Sequence, residues 1–143
     1  MTTDLSEVRD SLHRQSFLRL LGAEATVVEP GHVVIEVPFR ADLCQQNGVL
    51  HAGVVTSVAD SACGYAALTL MPAGSDVLSV EFKVNLLAPG RGDLFRADAR
   101  VVRPGRTLTV CQAEVTAVTG GGGSDDVVVA LMQATMIRRP VPG

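Results

Sequence analysis

Tryptophan is absent, tyrosine occurs once, and aromatic residues make up only 3% of the 143 residues. The hydrophobic 47% is therefore mostly Val, Ala and Leu, enough for a real core at single-domain length. An excess of positive charge is also missing. The formal net charge is −3 and the pI about 5.5, which excludes the basic field that general binding to nucleic acid or to an anionic membrane requires. Lysine is nearly absent: Lys83 stands alone among arginines. Cysteine is scarce and unpaired. Cys44, Cys63 and Cys111 are odd in number and widely spaced, with no C-x-x-C and no Cys/His cluster, so neither a disulfide framework nor a metal site is indicated. Reduced thiols in a cytoplasm are the expectation. The N-terminus is acidic and lacks the basic-then-apolar order of a secretory signal. The longest apolar region is interrupted by Asp60 and several glycines, so no membrane span is expected. Neither Gly-x-Ser-x-Gly, nor a Gly-x-x-x-x-Gly-Lys loop, nor a dinucleotide fingerprint occurs.

Periodicity orders what is present. Asp4 to Leu21 reads as one amphipathic helix, with Leu5, Val8, Leu12, Phe17, Leu18 and Leu21 roughly on a stripe and Gly22 as its stop. Ala23–Glu29 and His32–Phe39 read as two strands around Pro30-Gly31. The loop Arg40–Leu50 leads to a central helix from about Ala52 to Leu70. Asp76–Leu87 alternates, predicting a half-buried strand. Leu78, Val80, Phe82, Val84 and Leu86 face one way, and Ser79, Glu81, Lys83 and Asn85 the other. Strands follow at about Asp93–Arg103, Arg106–Thr119 and Val127–Ile137, and Arg138–Gly143 reads as a frayed tail. The run Gly120–Gly123 lies between strands and is a turn, not a phosphate cradle. No linker divides the chain, so residues 1–143 are expected to form one domain. Helix, two strands, a buried helix and four long strands point to an α+β fold: a curved antiparallel sheet wrapped around the central helix. Such a sheet keeps open edges, so association is expected.

Asp60 is the only formal charge between Asp42 and Asp76. It stands in a helix that is otherwise small or apolar all round, which is the pattern of a buried helix. A desolvated carboxylate has to be paired or hydrogen-bonded, and Asp60 is the first candidate for chemistry. The helix opens on Ala52 and Gly53, whose backbone N–H groups can approach a ligand closely and lie at the positive end of the helix dipole. That is an oxyanion-type site, able to polarise a carbonyl. Asp60 lies eight residues further on, roughly 12 Å along the axis at ~1.5 Å per residue. The two halves meet only if a second copy of the helix runs antiparallel, as in a two-fold dimer with a shared site.

Gln46-Asn47-Gly48-x-x-His51-Ala52-Gly53 with Ala59-Asp60 beyond it, followed by Ser79-Val80-Glu81-Phe82-Lys83-Val84-Asn85-Leu86-Leu87-Ala88-Pro89, resembles the signature of the PaaI-like acyl-CoA thioesterases of the hotdog-fold superfamily. The likeness of pattern runs over about residues 10 to 138. It implies hydrolysis of an aryl- or medium-chain acyl-CoA, with coenzyme A as part of the substrate and no separate cofactor or metal. It implies Asp60 as nucleophile or general base, the Ala52 N–H as oxyanion donor, and His51 as a residue that orients the helix start or contacts the thioester. Gln45 matches the amide that positions water or carbonyl, a role Asn47 can also fill. Ser79 matches a hydroxyl that helps place water or carboxylate. Members usually carry His-Gly-Gly where this chain has His51-Ala52-Gly53. Arg103 and Arg106 in the Pro104-Gly105 turn, with Arg91, Arg138 and Arg139, are candidates for the phosphates of coenzyme A. The axial gap between Asp60 and its own helix start, together with the open sheet edges, makes an obligate dimer, and a dimer of dimers, the expected assembly. Cys63 and Tyr65 read as packing residues, and His13 and His32 as surface residues. Two other functions fit the fold class: a hydratase or dehydratase, which wants a His and a carboxylate close together, and a non-catalytic acyl-CoA binder, which gains nothing from a buried charge.

Overall fold

The computed structural model describes residues 1–141. Asp4 caps the first helix, α1 (Leu5–Arg14), by accepting from the Ser6 N–H at 2.7 Å. The expected single N-terminal helix is broken. Gln15 is extended (φ −70°, ψ 111°) and a second short helix, α2 (Ser16–Leu21), starts after it. The break re-aims the chain so that Leu18 and Leu21 are buried with Val8 and Leu12, while Phe17 is left exposed. Strands β1 (Glu24–Glu29) and β2 (His32–Pro38) form the expected hairpin. A 3-10 turn (Ala41–Leu43) precedes the long helix α3 (Ala52–Leu68), and β3 (Ser75–Leu86), β4 (Leu94–Arg103), β5 (Leu108–Val118) and β6 (Val127–Pro140) follow. The tail expected to fray from Arg138 instead continues β6 as far as Pro140, held in register by Ser75, Asp76 and Val77 of β3. Pro142 and Gly143 of that tail lie outside the described residues.

One six-stranded antiparallel sheet results, in the order β1-β2-β4-β5-β6-β3. The expected α+β hotdog architecture, a sheet wrapped on a central helix beside an N-terminal helical segment, is borne out. Because β3 follows α3 in sequence yet pairs with β6, the helix must cross the whole face of the sheet. Alanines make that close crossing possible. Ala97 and Ala99 of β4, Ala113 and Ala117 of β5, and Ala130 and Ala134 of β6 are buried under Val55, Val58, Ala59, Ala62, Cys63 and Ala66 of α3. Phe95 is the largest of the fully buried side chains of this core; truncation to alanine would cost about 3–5 kcal/mol.

The helix is not covered all round, as its composition suggested. Gly53, Thr56, Ser57, Asp60, Ser61 and Gly64 are exposed or half-buried along one side. The half-buried strand expected at β3 also differs. It is the sheet's edge, and Leu78, Val80, Phe82 and Leu86 are about half exposed. Its alternation is broken by a bulge at Val80: Ser79 pairs with Met136, but Glu81 pairs with Thr135. Ser79 therefore shares the helix-facing side with Phe82, Val84 and Leu86, whose partners are Ala134, Met132 and Ala130. Leu78 is turned to the outer side with Glu81, Lys83 and Asn85. No helix among the described residues is long and apolar enough to cross a membrane.

Candidate active site

The bulge brings two of the sequence candidates together. The Ser79 hydroxyl donates to Asp60 Oδ1 at 2.6 Å, spanning nineteen residues of sequence. On its other side the hydroxyl oxygen lies 3.4 Å from the Met136 thioether. Nothing in the sequence marked Met136, because its register with β3 depends on the bulge. Asp60 is half-buried on the uncovered side of α3; Ser79 holds its Oδ1, and its Oδ2 has no hydrogen-bond partner among the described residues.

At the start of α3, His51 is the N-cap, and its Nδ1 accepts from the Gly53 N–H at 2.8 Å. The neutral ring then carries its proton on Nε2. Gly53 is required here for closeness: a Cβ would lie 2.9 Å from His51 Nδ1. The Gly53 N–H is thus engaged within the chain and is not offered to a ligand. The Ala52 N–H has no acceptor among the described residues, and it points from the positive end of a seventeen-residue helix. The loop before it is fixed from three directions. His51 N–H donates to Leu43 O at 3.0 Å and Leu50 N–H to Gly90 O at 3.0 Å. Gln45 closes the turn, its carbonyl accepting from Gly48 N–H at 3.0 Å and its side-chain oxygen from the Asn47 N–H. Gly48 (φ 79°) supplies the left-handed residue that this turn needs. Gln45 therefore spends its oxygen inside the loop, and the exposed Asn47 side chain is the freer amide.

The arginines divide. Arg106 and Arg138, with Thr107 and Pro140, line a cavity of about 280 Å³. Arg138 is held in place by donating from Nε to Ser75 Oγ at 2.8 Å. Arg103 is exposed and lies outside that cavity. A larger hollow of about 1090 Å³ lies on the outer face of the sheet, remote from Asp60. Its walls mix Lys83, Arg96 and Arg100 with Glu81, Asp98 and Glu114. That balance of charges and the lack of a nucleophile set it apart from the chemistry.

Cys63 and Cys111 are buried. Burial pushes the Cys111 thiol up to about 12, and raises Cys63 further, with Cys111 and Asp60 adding to the effect. Neither is a thiolate nucleophile at neutral pH. Tyr65 packs, its hydroxyl accepting from Gln15 Nε2 at 3.3 Å. His32 departs from the surface role expected of it. It is half-buried between Glu29, 3.5 Å from Nδ1, and Asp98, 2.9 Å from Nε2. No group of three or more His, Cys, Asp or Glu side chains among the described residues is arranged to hold a metal ion.

The family model of the thioesterase superfamily matches residues 47–124, more than half the chain. The chain belongs to the thioesterase superfamily. A solved thioesterase-family protein from Silicibacter pomeroyi is 46% identical, covers 94% of this chain and 97% of its own, and superposes with a TM-score of 0.90. A Saccharolobus solfataricus protein with a provisional esterase name is 32% identical over 106 residues, 74% of this chain and 75% of that protein. The 1,4-dihydroxy-2-naphthoyl-CoA hydrolase of Listeria monocytogenes is 27% identical over 96 residues, 67% of this chain and 78% of its own. The resemblance of the sequence to PaaI-like hotdog thioesterases is borne out at the level of family and fold. The protein is a thioester hydrolase.

Proposed function

We propose that this thioesterase hydrolyses an aryl- or medium-chain acyl-CoA at a site shared by two antiparallel copies of α3. The observation that carries this reading is the pairing of Asp60 with Ser79 on the uncovered side of the helix. The unengaged Ala52 N–H of the same helix stands roughly 12 Å away along the axis. A second protomer laid antiparallel against that side, edge strand to edge strand, brings its own Ala52 N–H to the carboxylate of the first. It also covers the apolar residues of β3.

In that arrangement Ser79 fixes one oxygen of Asp60. The other oxygen takes a proton from water as the water adds to the thioester carbonyl, or itself adds to that carbon to give a mixed anhydride that water then cleaves. The Ala52 N–H holds the developing oxyanion in either route. Collapse expels the coenzyme A thiolate, which takes up the proton and leaves with the acid as second product. A thiolate is a good leaving group, so no strong general acid is needed. His51, with Nδ1 committed to Gly53, sets the helix start and the direction of the Ala52 N–H, and Asn47 is the amide available to the carbonyl or water. The cavity that Arg106 and Arg138 line with Thr107 suits the phosphates of coenzyme A, since two arginines and a threonine contribute to its wall. Coenzyme A is thus part of the substrate, and the reaction as written uses no other cofactor. The naphthoyl-CoA specificity named for the Listeria relative supports an aryl acyl group.

The test is Asp60→Asn against a panel of acyl-CoAs with thiol detection. The amide still accepts from Ser79, so the variant is expected to fold, to keep its melting temperature within a few degrees and to bind substrate. Turnover should fall by ~10²–10⁴-fold. Wild-type turnover in a variant with a clearly lowered melting temperature would make Asp60 a structural residue instead.

A further inference from the structure

Gly64 sits in the middle of α3 with no reason for glycine in either its backbone or its packing. Its φ is not positive. A Cβ there would meet only Val77 Cγ1 at 3.9 Å and Met136 Sδ at 4.0 Å, both ordinary contact distances. Alanine would fit, and would hold the helix better, because glycine loses more backbone freedom on folding. The residue lies one turn beyond Asp60 on the same side of α3, and it is only half-buried. The absent side chain therefore leaves a notch beside the carboxylate. Its floor is a valine methyl and the same Met136 sulfur that touches the Ser79 hydroxyl. The peptide groups around Gly64 are committed to the helix ladder, so the notch offers no donor or acceptor. The amide-bearing pantetheine arm would gain nothing there, whereas an apolar group would.

We propose that Gly64 is a specificity-determining residue. By carrying no side chain it makes room beside Asp60 for a wide apolar acyl group, an aromatic ring or a branched chain, in preference to acetyl. This rests on the thioesterase reading above. The experiment compares benzoyl-CoA with acetyl-CoA on the wild type, Gly64→Ala and Gly64→Leu, with melting temperature and sedimentation run on each. Gly64→Ala should melt a few degrees higher than wild type and lose part of the preference for benzoyl-CoA. Gly64→Leu should lose at least tenfold in kcat/KM on benzoyl-CoA while staying within about twofold on acetyl-CoA. If Gly64→Leu does not fold, the shift of the ratio in Gly64→Ala decides. An unchanged ratio in a folded variant overturns the inference, since nothing wide then lies over residue 64. Equal loss on both substrates overturns it too, and a change in sedimentation would then assign the glycine to contact between protomers. A wild type that hydrolyses neither these nor any other acyl-CoA overturns the thioesterase reading, and this inference with it.

Discussion

Single residues set both the chemistry and its limits. Cys63 and Cys111 hold their protons in the fold well beyond the value of about 9 at which they ionise in water. Above pH 9 the unfolded chain therefore releases protons that the folded chain keeps. The stability this provides is complete below that pH, and falls as pH rises toward 12 by up to ~1.4 kcal/mol per pH unit and per thiol. Urea unfolding at pH 8 to 10.5 should show that slope, and replacing both cysteines by alanine should flatten it. The role of Asp60 as the odd charge in an apolar helix was legible from composition alone. That Gly53 serves His51 rather than a ligand was not, because a 2.9 Å steric limit has no signature in a string of letters. The pairing of Arg106 with Arg138 was likewise hidden. It depends on β6 running on to Pro140, where Pro140 and the flanking arginines suggested an end.

At the scale of elements, the start of α3 is the most sharply specified feature. His51→Ala leaves the Gly53 N–H without its acceptor, which should cost about 1 kcal/mol in chemical unfolding, while His51→Asn should recover most of it. A drop in stability that asparagine does not recover would mean that His51 packs rather than caps. Helix and strand positions followed their periods closely, since α3 and the long strands carry patterns that local physics reads well. Two elements did not. Gln15 breaks the N-terminal helix although no Pro or Gly signals it, because burial of Leu18 and Leu21 wins over continuing the first stripe. The bulge in β3 is equally silent, since it arises from pairing with a strand some fifty residues away.

For the molecule as a whole, the uncovered side of α3 and the apolar edge of β3 adjoin one another. Leu78, Val80, Phe82 and Leu86 are 45–54% exposed there, a pattern that an edge strand in a free monomer would normally avoid. Under the proposed shared site, Val80→Lys is expected to give a folded monomer by circular dichroism and sedimentation, with hydrolysis lost for want of a second Ala52 opposite Asp60. A monomer that still turns over acyl-CoA at the wild-type rate would place the oxyanion donor within one chain.

The bulge at Val80 also makes the activity a matter of parity. Iron out the bulge while keeping every residue, and β3 would pair with β6 in simple alternation from Phe82 backwards. Leu78 or Val80, rather than Ser79, would then stand against Asp60 beneath Phe82. Every residue named as catalytic would still be present in the sequence. Pairing register within this strand is therefore as much a requirement for the Asp60–Ser79 contact as residue identity, and a relative that keeps His51, Asp60 and Ser79 but pairs the same residues without the bulge would be a binder with the letters of an enzyme.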